Sequence, residues 1–243
     1  MKNDSNKKSI QEINHIISEI WDKNVMTRAL DLENLTDLSY TKTIEPWVLS
    51  QILEHTSEES SILDVGSGCG FMTNAVYQSG RHNIKGIDLS YTSVKYSKER
   101  YPQIAFNYQD IYLIPSNEKY DLCMAIMVAN NVPDMKRFFS IIHDILYTNG
   151  KLVMVIPHPC FWPEKRIGPF HFCYSREDRY SISFSTKGRK DYTSNIFYFH
   201  RPLEAYIQCI TELGFQIDSC HGLYESTQQQ KPDTLGMVLI KNY

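Results

Sequence analysis

The spacing of the hydrophobic positions along the chain changes near residue 60. Before that point, isoleucines recur at helical spacing over 10–20, and apolar residues do so again over 48–53. The pattern predicts an amphipathic helix over 9–22 that ends near Trp21, a looser segment, and a second helix around 45–55 with Pro46 in its first turn. From residue 61 onward, short apolar runs alternate with helical patterns, which is typical of βαβ units in a mostly parallel sheet.

Seven apolar segments of this second part are predicted to be strands of one sheet. They cover 62–65, 84–87, 104–107, 122–128, 152–156, 215–220 and 235–241. Aromatic and charged residues concentrate over 158–202, and we interpret this stretch as an insertion. Two short strands, 180–184 and 196–200, are expected there on either side of a polar tip at 187–191. A helix over 203–213 follows the insertion.

Composition narrows the class of protein. A chain of 243 residues with 42% hydrophobic content can bury one core, and we expect one domain. The net charge of −3 is spread along the sequence, so the continuous basic face that nucleic acid requires is not expected. No apolar run is long enough to span a membrane, and the first residues lack the apolar core of a secretory signal. The six cysteines form no CxxC pair, which favours reduced thiols and a cytoplasmic location.

The most informative segment is ILDVGSGCG at 62–70, which joins an apolar strand to a glycine-rich turn and then a helical pattern. Glycines let the backbone turn tightly and approach a ligand, and the first amides of the next helix can bind an electron-rich group. Asp64, at the end of the strand, can accept a hydrogen bond or attract a cationic amine. Asp88 follows the second strand, 22 residues after Gly66, where an acid can bind both hydroxyls of a ribose or cap the next helix.

Three segments together resemble the cofactor-binding half of the class I S-adenosylmethionine-dependent methyltransferases. ILDVGSGCG resembles the first motif of that family, GIDLS at 86–90 the second, and NYQDI at 107–111 the segment with the adenine-side acid. The glycine spacing differs from the G-x-G-x-x-G fingerprint of dinucleotide sites, which favours S-adenosylmethionine as the cofactor. The resemblance implies an α/β Rossmann-like fold: a seven-stranded, mostly parallel sheet flanked by helices, with the last strand antiparallel and a lid-like insertion after the fifth.

By this resemblance, the cofactor-binding residues lie at the ends of the first four strands. Asp110 would bond the adenine amino group, although it can also simply cap a turn, and the Ile111 amide would bond the adenine ring. Ala125 and Met127 would lie against the methionine part. The predicted cofactor-binding set is Asp64, Gly66, Ser67, Gly68, Gly70, Asp88, Leu89, Asp110, Ile111, Ala125 and Met127.

On the acceptor side, HPCF at 158–161 and the segment 200–215 resemble a small-molecule branch of the family whose insertion closes over the acceptor. His158 suits a general base, or it fixes its loop by hydrogen bonding. His200 and Arg201 can bind an acceptor carboxylate or phosphate, or anchor the next helix. Asn130 and Asn131 face the acceptor or satisfy the turn before Pro133. The predicted acceptor-binding residues are Asn131, Phe161, Tyr174, Tyr198 and Arg201, with His158 and His200 as the catalytic candidates.

The sequence therefore predicts an enzyme that transfers a methyl group from S-adenosylmethionine to a small molecule, at a nitrogen, oxygen or carbon nucleophile, by in-line displacement. The alternatives are a methyltransferase for protein or nucleic acid and a non-catalytic S-adenosylmethionine-binding module. The expected organisation is an N-terminal helical lid (1–56), a cofactor-binding half (57–157), the insertion (158–202) and a C-terminal helix with strands (203–243). A homodimer is compatible with the sequence.

One further pattern is weighed against this prediction. Two His-x-Cys pairs, His158 with Cys160 and His171 with Cys173, place four potential zinc ligands within 16 residues. Such spacing is not a common zinc arrangement. The first pair also belongs to the HPCF segment of the resemblance. No metal is therefore expected.

Overall fold

A computed structural model describes residues 9–168, 171–186, 192, 195–226 and 228–242. Its nine strands form a seven-stranded sheet and a separate two-stranded hairpin. The strands are β1 Ile62–Val65, β2 Ile84–Asp88, β3 Ala105–Tyr108, β4 Tyr120–Ile126, β5 Leu146–Pro157, β6 Asp178–Ser183, β7 Asn195–His200, β8 Phe215–Leu223 and β9 Thr234–Lys241. All seven predicted sheet strands are thus present.

The large sheet has the strand order β3-β2-β1-β4-β5-β9-β8. β1 to β5 run parallel, with Ile62 beside both Ile84 and Leu122 in the register, while β9 is antiparallel to both of its neighbours. The prediction of a mostly parallel, Rossmann-like sheet with the last strand antiparallel is confirmed. The order reverses direction between β1 and β4, and ligands of open α/β sheets bind at such a switch point, beyond the carboxyl ends of the strands.

Helices cover both faces of this sheet. They are α1 Ile10–Glu33, α2 Glu45–His55, α3 Phe71–Gln78, α4 Tyr91–Arg100, α5 Met135–Ile145, α6 Trp162–Ile167 and α7 Leu203–Glu212, with a π-helical turn at Tyr40–Ile44 and a 3-10 turn at Ile111–Leu113. Alternate residues of a strand point to opposite faces, so Ile62 packs with α2, α3 and α4, and Leu63 packs with α5 and α7. The result is a three-layer α/β core.

The first helix is longer than its apolar pattern predicts. We expected an end near Trp21, but α1 continues to Glu33. The polar residues that follow Trp21 have partners inside the helical structure: Asp22 accepts bonds from the Ser90 hydroxyl and the Thr92 amide, and Asn24 donates to the Ile20 carbonyl. Beyond them Val25, Ala29 and Leu32 are again buried at helical spacing. A polar interruption in the sequence therefore does not end this helix.

The predicted insertion contains the helix α6, which the sequence did not predict, and the hairpin of β6 and β7. Pro163 lies in the first turn of α6, where a missing amide costs little. In the hairpin, Tyr180 pairs with Tyr198 and Ile182 with Ile196, as the alternation predicts. The predicted tip, 187–191, lies outside the described residues.

Candidate active site

A cavity of about 690 Å³ opens at the carboxyl ends of the parallel strands. Its floor is formed by the turns after β1, β2, β3 and β4 and by the end of β5. Residues of α1, the π-helical turn, α6 and the hairpin complete its walls. This is the position at which open α/β sheets bind their ligands.

The glycine-rich turn after β1 brings the backbone to this cavity. Gly66 has φ of 73°, and a Cβ atom there would lie 2.4 Å from Cγ2 of Val128, so only glycine fits. Gly68 has φ of 52° and faces open space, because no atom of the described residues lies within 4 Å of the position of a Cβ atom. Gly66, Ser67 and Gly68 line the cavity. Gly70 does not line it; a Cβ atom there would lie 2.8 Å from Cζ of Phe106, so this glycine makes room for the Phe106 ring.

Asp64 lies at the end of β1, and its side chain is only 2% exposed. The Thr73 hydroxyl donates to Oδ2 at 2.6 Å. Burial raises the pKa of Asp64 to about 7, against the opposing effect of the bond from Thr73, and the neighbouring Asp88 raises it further. A carboxyl group with a pKa near neutrality loses its proton and becomes negatively charged when a cation binds beside it.

Asp88 lies at the end of β2 and lines the same cavity. Its Oδ2 accepts the Gly68 amide at 2.8 Å, and its Oδ1 accepts the Ser90 amide at 2.7 Å. Burial raises its pKa, and these backbone bonds oppose the rise. The sequence allowed Asp88 either to cap the next helix or to bind a ribose. Asp88 does bond the start of α4, and it also lines the cavity with lone pairs that are free to accept further hydrogen bonds.

Asp110 caps the 3-10 turn after β3 and also lines the cavity, as does the adjacent Ile111. Its Oδ1 accepts the Tyr112 amide at 2.9 Å. Its Oδ2 accepts the side-chain amide of Asn14, on α1, at 2.9 Å. The N-terminal helix thus reaches the third strand end through a residue that the sequence analysis did not select.

The helix α1 crosses the ends of β2 and β3 and bonds the chain there. Besides Asn14, Ser18 donates to the Leu89 carbonyl at 2.6 Å, and Asp22 accepts bonds from Ser90 and Thr92 at the start of α4. These contacts hold α1 over the cavity side of the sheet. The sequence gives only a weak signal for these contacts, because the polar face of any amphipathic helix would contain residues such as Asn14, Ser18 and Asp22.

The turn after β4 supplies the next part of the wall. Met127 has φ of 61°, a left-handed conformation that costs free energy for a residue with a side chain. Its carbonyl accepts the side-chain amide of Asn131 at 2.8 Å, and the Asn131 backbone amide bonds the Val128 carbonyl at 2.7 Å. Met127 and Asn131 line the cavity, whereas Ala125, predicted to contact the cofactor, is fully buried inside the sheet.

Two predicted catalytic residues lie outside the residues that line this cavity. His158 packs against the Phe161 ring at 4.5 Å, its Nδ1 accepts the Cys160 amide, and burial lowers its pKa. The Nε2–H group of His200 donates to the Tyr174 carbonyl at 2.8 Å, and burial lowers its pKa as well. Both imidazoles are occupied in holding their loops, which was the alternative that the sequence left open.

The remaining predicted acceptor residues are also packed behind the wall rather than on it. Arg201 donates to the backbone carbonyls of Ala129, Val132 and Pro133, so it secures the turn after β4. The Tyr198 ring packs against the Trp162 ring, with the centroids 4.9 Å apart and the planes tilted by 50°. Tyr174 donates to Glu204 and accepts the Leu203 amide. Together with Phe161, they support the lining residues from outside.

Further residues that line the cavity were not selected by the sequence analysis. Apolar spacing gives no signal for them, because they lie on short elements from distant parts of the chain. Arg28 pairs with Asp37 at 2.7 Å, and the buried hydroxyls of Tyr40 and Thr43 have no hydrogen-bond partner among the described residues. These additional lining residues are Arg28, Asp37, Tyr40, Thr43, Trp162, Lys165, Arg166, Phe184 and Ile196.

Within the described part of the chain, no three His, Cys, Asp or Glu side chains are grouped as metal ligands would be. Over the same residues, no helix has both the length and the apolar character needed to cross a bilayer.

The chain is similar to known proteins in both sequence and fold. Residues 56–160 match the family model of a methyltransferase domain. A protein of Invertebrate iridescent virus 6, 235L, whose name describes it as a candidate methyltransferase, is 25% identical over 100 residues. That alignment covers 41% of this chain and 38% of the viral protein, so the chain spans well under two thirds of this relative.

Two solved structures are similar over most of the chain. The magnesium protoporphyrin IX methyltransferase of Synechocystis PCC 6803, with bound S-adenosylhomocysteine, has a TM-score of 0.66 and 13% identity, covering 94% of this chain and 99% of its own. The 1,6-didemethyltoxoflavin-N1-methyltransferase of Burkholderia thailandensis, with bound 1,6-didemethyltoxoflavin and S-adenosylhomocysteine, has a TM-score of 0.64 and 11% identity, covering 99% and 94%. The prediction of a methyltransferase is confirmed over 56–160, which match the domain model, and the chain has the fold of solved S-adenosylmethionine-dependent methyltransferases.

Proposed function

We propose that this enzyme transfers a methyl group from S-adenosylmethionine to a small-molecule acceptor by in-line displacement. The observation that carries the proposal is the continuous cavity of about 690 Å³, which runs from the three acid-bearing strand ends to the π-helical turn and the hairpin. Its volume lies within the range of about 300–1,000 Å³ that is usual for small-ligand sites. One cavity thus offers room for the cofactor and an acceptor side by side.

The residues at the strand ends fit the cofactor. Gly68 leaves open space beside the backbone at the turn after β1, so a ligand can approach the main chain closely there. We assign Asp88 to the ribose hydroxyls, Asp110 and Ile111 to the adenine, and Asp64 with the glycine turn to the methionine part. Leu89 and Met127 would line the same path. Gly70 and Ala125 are left out of this assignment, because they pack inside the fold.

When bound, S-adenosylmethionine supplies an electrophilic methyl group, whose bond to sulfur breaks as the acceptor attacks. What the chain contributes is position and exclusion of water, which are the main requirements of an in-line displacement. The helix α1, the π-helical turn, α6 and the hairpin cover the cavity between them. We therefore propose that 1–56 and 158–202 act as lids over the site formed by 57–157.

Three observations support a small acceptor over a macromolecule. The cavity is walled by aromatic and aliphatic side chains, including Trp162, Phe184 and Ile196. The two structural relatives named above act, by their names, on small molecules. The net charge of −3 does not favour nucleic acid. We also propose a cytoplasmic location, with which the six free cysteines agree. A homodimer stays a prediction from the sequence.

The first experiment is a calorimetric titration of the purified protein with S-adenosylmethionine and with S-adenosylhomocysteine. We expect both to bind, since the proposed cofactor contacts lie away from the methyl group. Labelled S-adenosylmethionine is then incubated with small-molecule, peptide and nucleic-acid mixtures, and label is expected only in the first. Failure of both ligands to bind would contradict the proposal. Binding without transfer to any mixture would favour the non-catalytic module.

A further inference from the structure

The carboxyl group of Asp110 is held by neutral donors alone. None of the ion pairs among the residues that the structure describes involves Asp110. Its hydrogen bonds come from two N–H groups, the Tyr112 amide at Oδ1 and the Asn14 side chain at Oδ2, each at 2.9 Å. Each carboxylate oxygen can accept two bonds, so both oxygens keep an acceptor position for a further donor.

A ligand in the cavity can supply that donor. Asp110 lines the cavity and is partly exposed, and its neighbours Gln109 and Ile111 line it as well. The two bonds to Asp110 come from different elements, one from the 3-10 turn and the other from α1. The carboxyl group therefore cannot turn about its Cβ–Cγ bond without breaking one of them.

Asn14 supplies the part of this arrangement that comes from a distant segment. It is 5% exposed, and it lies on α1, 96 positions before Asp110 in the sequence. A carboxylate only accepts hydrogen bonds, so Asn14 presents its Nδ2 group to Asp110, because Oδ1 in that place would set two acceptors against each other. The amide thus fixes the carboxyl group in one orientation and favours its acceptor form.

A group that only accepts hydrogen bonds distinguishes purines by the substituent at carbon 6. A 6-amino group is a donor and satisfies the carboxylate, whereas a 6-oxo group is an acceptor and is repelled by it. Sites that offer a polar group to the right ligand reject a ligand that leaves this group unpaired. The rejection requires that the group cannot turn away, and Asn14 provides this restraint.

We infer that Asn14 is a positioning residue that makes the cofactor site selective for a 6-amino purine, by holding Asp110 ready to accept an N–H of the adenine amino group. This inference rests on the proposed function. Without the Asn14 donor, the carboxyl group is free to turn, and a water molecule can take the place of the amide. Because water both donates and accepts, it bridges either substituent, and the selectivity falls.

The test compares two ligands in one protein. S-adenosylhomocysteine carries the 6-amino group, and S-inosylhomocysteine is its deaminated form, with oxygen at carbon 6 and a proton on nitrogen 1. Calorimetry gives the Kd of each, and the ratio of the two Kd values cancels any general loosening of the site. The wild-type protein is expected to prefer S-adenosylhomocysteine by about tenfold or more.

Two variants of Asn14 change the restraint on Asp110. Asn14→Ala should lower the ratio about threefold to tenfold, through weaker binding of S-adenosylhomocysteine alone. Asn14→Asp has nearly the same size but replaces the donor by a second carboxyl group, and two carboxyl groups at this distance share one proton. The shared proton can be donated to a 6-oxo group, so the ratio should fall about tenfold or more.

Ser18→Ala is the matched control, since Ser18 lies one turn further along α1 and bonds the Leu89 carbonyl rather than Asp110. It should weaken both ligands alike and leave the ratio unchanged. The wild-type ratio in both Asn14 variants would overturn the inference, because Asn14 would then only hold the helix, as Ser18 does. Equal binding of the two ligands by the wild-type protein would overturn it as well. If neither ligand binds, the proposed function itself fails, so the two failures are distinguishable.

Discussion

The two halves of the cavity differ in how far their polar groups are already paired. On the cofactor side, Asp64, Asp88 and Asp110 each accept hydrogen bonds from the chain itself. On the wall formed by the turn after β4, the side-chain oxygens of the two asparagines have no partner within the described ranges. Paired groups hold a fixed shape before a ligand arrives, whereas an unpaired buried acceptor is an exception that costs free energy. The three acids of the proposed cofactor half are thus held in place by the chain before a cofactor binds.

The strongest test of this division is Asp88→Ala, which removes the carboxylate proposed to bind the ribose. Two hydrogen bonds to a charged group are worth about 1.5–3 kcal/mol each, so affinity for S-adenosylmethionine should fall by about a hundredfold or more. Calorimetric titration measures the change. Asp121→Ala is the control, because Asp121 bonds Ser61 at the opposite edge of the sheet and should leave affinity unchanged. Wild-type affinity in Asp88→Ala would refute the assignment of the cofactor half.

The pH dependence of cofactor binding sharpens the same comparison. Because burial raises the pKa of Asp64 to about 7, this group is mostly protonated at pH 5.5 and must lose its proton beside the cationic cofactor. Affinity for S-adenosylmethionine should therefore increase about tenfold from pH 5.5 to 7. Asp64→Asn should flatten the profile, with the remaining slope coming from Asp88, whose pKa is also raised by burial. If the affinity of Asp64→Asn depends on pH as steeply as that of the wild type, Asp64 does not contact the cofactor.

A smaller effect is expected at the helix that covers the cofactor half. Asn14→Ala removes the bond to Asp110 and should weaken S-adenosylmethionine binding about threefold to tenfold, the size of one ordinary hydrogen bond. Gln11→Ala, at an exposed position one turn earlier on α1, is the matched control. If both variants bind equally well, α1 does not contribute to the cofactor half through Asn14.

The smallest effect is expected at His158, on the far side of the acceptor half. A general base contributes about a hundredfold or more to the rate, whereas a histidine that only packs its loop does not. His158→Ala should therefore change kcat by less than about threefold and mainly lower the melting temperature, through loss of the packing on Phe161. A hundredfold loss of kcat with an unchanged melting temperature would show instead that His158 is the general base.

The same division separates what the sequence predicted from what it did not. The cofactor half lies on consecutive strand ends within one stretch of chain, so local spacing located Asp64, Asp88 and Asp110 with their glycine turn. The seven strands were located for the same reason, since period-2 and period-3.6 patterns are local properties. Asp88 and Asp110 both line the cavity, and their roles toward the ribose and the adenine stay predictions from the resemblance.

The acceptor half combines segments that are far apart in the sequence, and only long-range packing decides which side chains face inward. His158, His200 and Arg201 have suitable chemistry, yet the fold uses them to hold loops. Arg28 and Tyr40 were missed because the polar stretch after Trp21 concealed the continuation of α1 and because a π-helical turn has no simple apolar period. Such placements depend on tertiary contacts that no local pattern reports.

The bonds that α1 makes with Asp110, Leu89 and Ser90 also bear on how fast the enzyme works in a cell. Under the proposed function these contacts surround the adenosine portion, which is the same in the substrate and in S-adenosylhomocysteine. The helix therefore cannot distinguish a spent molecule from a fresh one, and the two compete for one place. Turnover in the cell would follow the ratio of S-adenosylmethionine to its product, so reactions that remove the product would govern this enzyme without contacting it.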